Sequence, residues 1–249
     1  MNKYILFSIF ILFINCNKNE TKQIKAAVVS ARQEASDIGL NIIAKGGNAF
    51  DAMIATDLAL SVCYPNAGNI AGGGFLVYRT TDGKFGSLDY REKAPEQATR
   101  DMYLDSDGNV ISGKSTIGGL AVGIPGTIAG LYEIHKKFGT MPWKDLVQPA
   151  INLAKNGYKV TNKQKRSFDS KKEDFIKING KNTFYATDYE IDDLVINLPL
   201  ANTLKLIQDK GRAGFYKGIN ADRLIQRVKE TGGIITSNDL VSYSPVWRA

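Results

Sequence analysis

Few side chains in this sequence could do chemistry, and most lose that reading once their neighbours are considered. Residues 108–115, Gly-Asn-Val-Ile-Ser-Gly-Lys-Ser, fit the phosphate-loop pattern GxxxxGK(S/T). A working phosphate loop follows an apolar strand and opens directly into a helix whose N-terminus holds the phosphates. Here Asp105-Ser106-Asp107 ahead of it reads as a turn, and Gly118, Gly119, Gly123 and Pro125 behind it make a poor helix. Nucleotide binding is therefore set aside. Asp105-x-Asp107-x-Asn109 opens like a calcium loop, but Val110 stands where the sixth-place Gly is required and Thr116 where the twelfth-place Glu is. It reads as a solvated turn. His135 is the single histidine and cannot build a His-rich metal site. It falls near the C-terminal end of a predicted helix, where partial positive charge is favourable, and reads as a surface residue. Arg91, between Asp89 and Glu92, reads on its own as half of an exposed ion pair.

The elements that must position these groups come from a chain of 249 residues, 43% hydrophobic and 23% charged. That is ordinary globular composition, enough for one large domain. The net charge of +7 arises from scattered lysines and arginines with short clusters at residues 163–166 and 171–172. A nucleic-acid surface would need a coherent basic stripe set with aromatics, so no nucleic-acid partner is expected. Two cysteines, Cys16 and Cys63, make no disulfide framework. Cys63 lies in an apolar run and reads as a buried structural thiol.

Residues 1–15 carry one charge, Lys3, followed by ten residues in which only Ser8 is polar. Ten helical residues rise about 15 Å, short of the roughly 30 Å of a bilayer core. The segment fits a secretory signal peptide. Because the apolar run closes in Leu12-Phe13-Ile14-Asn15-Cys16, it resembles a bacterial lipoprotein processing site with Cys16 as the lipidated residue. Residues 1–16 thus read as the signal peptide and 17–25 as a polar tether. An exported protein, periplasmic or membrane-anchored, is expected.

Beyond the tether, residues 26–30 read as a strand, 33–45 as a helix stopped by Gly46-Gly47, and 49–62 as a second helix capped by Asn48. The second helix is apolar nearly all round and should be buried between layers. Asp82-Gly83 marks a hairpin between strands 75–79 and 85–90. Residues 106–126 are Gly-rich loop. Further helices are expected over 127–137, 144–155, part of 160–181, 200–210 and 221–231, with a last turn opened by Asn238-Asp239-Leu240. Two packed helices, a hairpin and more helices suggest α+β layering. The end at Trp247-Arg248-Ala249 shows no closing element, and a longer reading frame is expected.

Several stretches, taken in order, resemble the large-subunit region of γ-glutamyltranspeptidases. They are Gly46-Gly47-Asn48-Ala49-Phe50-Asp51-Ala52, Gly72-Gly73-Gly74-Phe75, Asp89-Tyr90-Arg91-Glu92-Lys93-Ala94-Pro95 and Gly123-Ile124-Pro125-Gly126-Thr127 with Gly130. Phe138-Gly139-Thr140-Met141-Pro142-Trp143, Phe215-Tyr216-Lys217-Gly218 and Gly232-Gly233-Ile234-Ile235-Thr236 with Asp239-Leu240 complete the series. No single motif is specific; the ordered set is, and it covers residues 26–249.

The resemblance implies an N-terminal-nucleophile hydrolase, an αββα sandwich that would be incomplete in this chain. It implies a precursor that cuts itself into large and small subunits and exposes a threonine. That threonine attacks the γ-glutamyl carbonyl of glutathione, and water, an amino acid or a peptide takes the acyl group. No metal or organic cofactor is implied. A threonine hydroxyl is a weak nucleophile until a base takes its proton, and its own freed α-amine can do so. The tetrahedral oxyanion needs aimed N–H donors. In the family both lie in the small subunit. The family's Thr-x-His segment does not occur in this sequence, so no catalytic threonine is assigned and the chain alone is expected to be inactive. One functional residue carries over. Arg91 matches the arginine that binds the α-carboxylate of the γ-glutamyl group, a task suited to a planar, permanently charged guanidinium. The alternatives are a non-catalytic exported binding lipoprotein on the same scaffold and a related N-terminal-nucleophile acylase.

Overall fold

A computed structural model describes residues 26–248; the signal-peptide and Cys16 readings lie outside the described residues. Helix α1, Gln33–Ala44, ends where Gly46 takes a φ of 95°, a conformation glycine adopts without a Cβ penalty. Helix α2, Ala49–Cys63, opens on a reciprocal cap. The Asn48 side chain accepts from the Asp51 N–H, and the Asp51 carboxylate accepts from the Asn48 N–H. As its all-round apolar sequence requires, α2 is the buried centre, packed against α1 and two later helices. Cys63 at its end is fully buried, and burial pushes its thiol up to about 12, so it stays an inert thiol.

Strands β1, Phe75–Arg79, and β2, Phe85–Asp89, pair antiparallel with Phe75 opposite Asp89. Helices α3, Thr127–Phe138, and α4, Trp143–Asn156, follow the Gly-rich loop. The two-residue strands β3, Tyr158–Lys159, and β4, Leu194–Val195, flank the polar helix α5, Asn162–Asn179. Helices α6, Leu198–Lys210, α7, Ala213–Tyr216, α8, Ile219–Glu230, and α9, Ser237–Ser242, lead to strand β5, Val246–Arg248.

Two expectations are corrected. The sequence shows no closing element, yet β5 pairs antiparallel with β2 and gives a sheet in the order β1-β2-β5. Residues 26–30 read as a strand but form none among the described residues, and Val29 is 92% exposed. A strand needs a hydrogen-bonded neighbour, and this segment has none here.

Among the described residues the sheet is covered on one face only. Tyr78 and Trp247 turn toward the helices, where Tyr78 meets Phe50 and Phe138 with ring centroids 5.8 and 4.8 Å away. On the other face Phe75, Val77 and Phe85 are 59%, 81% and 74% exposed. Between this sheet, residues 27–30 and α2 runs an apolar cleft of about 490 Å³. One helical layer on one sheet is half of an αββα arrangement.

Candidate functional site

Arg91 lies one residue past Tyr90, which β1 still holds. Tyr90 N donates to Gly74 O at 2.9 Å, and Gly74 N donates to Tyr90 O at 3.4 Å. The main chain at Arg91 is then fixed from three sides. Its N–H donates to Asp89 Oδ1 at 3.0 Å. Its carbonyl accepts from the Tyr243 hydroxyl at 2.8 Å. Gly73 presses against it so closely that a Cβ there would lie 2.6 Å from Tyr90 O and 2.8 Å from both Arg91 Cα and Glu92 N. Just beyond, Lys93 and Ile124 exchange backbone hydrogen bonds of 3.3 and 2.8 Å, and Gly72 O accepts from the N–H groups of Gly126 and Thr127. The Gly72-Gly73-Gly74, Asp89–Glu92 and Gly123–Thr127 motifs, separate in sequence, therefore meet at one point.

The side chain is the opposite of the main chain. The guanidinium is exposed, lies over the Phe75 ring at 5.7 Å, and forms no salt bridge among the described residues. Phe75 lines the apolar cleft. The surface-pair reading fails because Asp89 is taken by another cation. Arg248 grips its Oδ2 through Nε at 3.1 Å and Nη2 at 2.6 Å. That pair, then the Arg91 N–H, hold the Asp89 carboxyl below the usual carboxylate range. The arrangement is an unpaired guanidinium on a rigid backbone at the edge of a cleft, which suits two-pronged capture of a carboxylate.

Other groups fall out as follows. Gly108 and Gly113 sit in turns with φ of 84° and 79°, and no α-helix follows residue 115 directly, so the phosphate-loop match has no phosphate-binding geometry. Asp105 Oδ1 accepts from the N–H groups of Asp107 and Asn109, a side-chain-closed turn. Among the described residues no cluster of three His, Cys, Asp or Glu side chains could hold a metal. His135 is half-buried, which corrects the surface reading. Its ring lies 5.3 Å from Trp143, and Nε2 is 2.8 Å from Met141 O. A carbonyl only accepts, so Nε2 carries the hydrogen. Thr56 and Asp57 are polar breaks in the otherwise apolar helix α2. Both line the cleft. Burial pushes the Asp57 carboxyl up to about 6, and the Thr56 hydroxyl, which faces Gly39 of α1, has no hydrogen-bond partner among the described residues.

Comparison with known proteins first gives the class. The chain superposes on a Helicobacter pylori γ-glutamyltranspeptidase crystal structure with a TM-score of 0.88 and 41% identity, covering 91% of this chain and 66% of that one. Its fold is that of the N-terminal-nucleophile hydrolases. The profile of the family described as gamma-glutamyltranspeptidase matches residues 35–249. The chain belongs to the γ-glutamyltranspeptidase family. It is 43% identical over 224 residues to the glutathione hydrolase proenzyme of Pseudomonas aeruginosa, covering 89% of this chain and 40% of that protein. The corresponding protein of Escherichia coli is 39% identical over 225 residues, covering 89% and 39%. The chain thus spans about two fifths of the length of these curated relatives.

Proposed function

We propose that this chain is the N-terminal portion of an exported enzyme that cleaves the γ-glutamyl bond of glutathione and passes the acyl group to water, an amino acid or a peptide. Arg91 is the α-carboxylate clamp. The observation that carries the reading is the exposed Arg91 guanidinium, unpaired among the described residues, on a main chain held by Asp89, Tyr243 and Gly73. The attacking threonine and the oxyanion donors belong to the remainder of the precursor. The sheet face left uncovered among the described residues and the adjoining apolar cleft support a second packed layer there.

With the carboxylate held, the γ-carbonyl is carried to a fixed place and the attack becomes effectively unimolecular. The threonine oxygen adds to that carbonyl as its α-amine takes the proton. The C–N bond breaks, the proton passes to the leaving amine, and an ester to the enzyme remains for the acceptor to open.

The test is donor kinetics in the complete processed enzyme with a γ-glutamyl anilide. Losing a bidentate charge-assisted pair costs about 3–4 kcal/mol, so Arg91→Ala should raise KM by two orders of magnitude or more. Arg91→Lys, which keeps the charge and loses the fork, should fall between. An unchanged KM in Arg91→Ala refutes the clamp. Turnover by residues 1–249 alone that survives mock-purification controls refutes the placement of the nucleophile.

A further inference from the structure

We propose that Tyr243 and the Asp89–Arg248 pair are positioning residues for Arg91, acting on its main chain and keeping its guanidinium free for substrate. The inference rests on the reading of Arg91 as the carboxylate clamp and extends it to residues about 150 positions downstream.

Tyr243 is built as a fixed post. It is 4% exposed, and its ring lies parallel to that of Tyr216 with centroids 6.0 Å apart. The Lys93 ammonium sits 5.1 Å from its centroid, and its carbonyl accepts from Arg212 Nη2 at 2.6 Å. Tyr216 is anchored in turn, its hydroxyl donating to Pro125 O at 2.7 Å. The Tyr243 hydroxyl has one outlet, the Arg91 carbonyl at 2.8 Å. Burial, then Asp89 and Glu92, push that phenol up to about 12, so it remains a donor at every working pH.

Asp89 does a different job. Two residues before Arg91, it is a nearby carboxylate able to fold onto the Arg91 guanidinium and occupy the fork meant for substrate. Register prevents this. Strand β5 runs beside β2 with Val246 opposite Asp89 and Arg248 opposite Ser87, which brings the Arg248 fork onto Asp89 Oδ2. The remaining oxygen, Oδ1, then takes the Arg91 N–H. One carboxylate thus fixes the backbone of Arg91 while its ion pair is made with Arg248 and not with the Arg91 side chain.

The experiment is a double-mutant cycle in the complete processed enzyme with a γ-glutamyl anilide. Tyr243→Phe removes one hydrogen bond and should raise donor KM about five- to tenfold with kcat nearly unchanged. In an Arg91→Ala background it should add nothing, because the group it positions is gone. Arg248→Ala should also raise KM, and adding Asp89→Ser should recover part of the loss by removing the carboxylate that turns onto Arg91. If Tyr243→Phe changes kcat/KM equally in both backgrounds, it acts on the fold at large and the inference is overturned. An Arg91→Ala enzyme with unchanged KM removes the clamp and the positioning set together. A large Arg91→Ala effect with silent Tyr243→Phe and Arg248→Ala variants removes the positioning set alone.

Discussion

Asp51 is the fully buried carboxylate on which α2 and the turn after α3 are jointly built, and Asp51→Ala tests that construction. It is 0% exposed. Its oxygens accept from Asn48 N at 3.0 Å, Thr140 N at 3.1 Å and the Thr140 hydroxyl at 2.5 Å. The Asn48 amide completes the joint by donating to Phe138 O at 2.7 Å. Alanine leaves these three donors, and the more distant Met141 N–H at 3.5 Å, without an acceptor. Each unsatisfied buried donor costs about 1–3 kcal/mol, and Thr140 lies where water can recover part of that, so the lower end applies and the set sums to about 3–4 kcal/mol. For a domain of this size each kcal/mol moves the melting midpoint by about 2–4 °C, giving a drop of about 10 °C. The assay is thermal unfolding of the purified chain by circular dichroism. Thr140→Val removes only the hydroxyl and should cost about 1 kcal/mol. The double variant should cost less than the sum of the two singles. A shift under about 1 kcal/mol for Asp51→Ala, or strict additivity with Thr140→Val, refutes the joint.

Asp57 predicts a pH dependence of opposite sign to that of an ordinary paired carboxylate. Its folded pKa is raised to about 6, against about 4 unfolded, so the contribution of Asp57 to stability is most favourable below about 4 and falls as pH rises through 6. Asp57→Asn should flatten that slope in urea titrations of the chain, gaining up to about 3 kcal/mol at pH 7.5 and nothing at pH 4. Gly126→Ala should destabilise by about 2 kcal/mol or more on steric grounds alone. Its φ of −118° suits any residue, but a Cβ would lie 1.9 Å from Tyr90 O and 2.2 Å from the Tyr243 hydroxyl. Calorimetry checks the stability, and a raised donor KM in the complete enzyme checks the displacement of Tyr243. Cys16→Ser should abolish incorporation of labelled palmitate in the expressing bacterium; an unlabelled wild-type protein refutes the lipoprotein reading.

Local signals carried most of the helical layer. The stop at Gly46-Gly47, the Asn48 cap and the Asp82-Gly83 turn mark boundaries within one or two residues of those observed, because each acts on its own neighbours. Non-local pairings were not legible. The three residues of β5 are too few to show a period and become a strand only because β2, about 160 residues earlier, offers an edge. Residues 26–30 show the converse, a strand-like sequence without a partner to make it one. His135 looked free because a helix end says nothing of what packs beside it, and Trp143 fills that place. Arg91 was visible only through the family pattern, and its supports Tyr243 and Arg248 were not visible at all.

That division has a physical source, and it explains why the site reads as it does. A side chain that serves the fold is buried or paired, and its neighbours account for it, as they do for Asp51, Tyr216 and Asp239. Arg91 reverses the pattern. Its backbone carries the restraints of a core residue, with Gly73 and Gly126 stripped of side chains to let the strands and Tyr243 close around it. Among the described residues its guanidinium pairs with no carboxylate, although Asp89 stands two residues away and is held by a second arginine. A long cationic side chain loses entropy when it is ordered. On the proposed reading of Arg91 as a carboxylate clamp, restraint built into its main chain beforehand lowers the cost of ordering the side chain when substrate arrives.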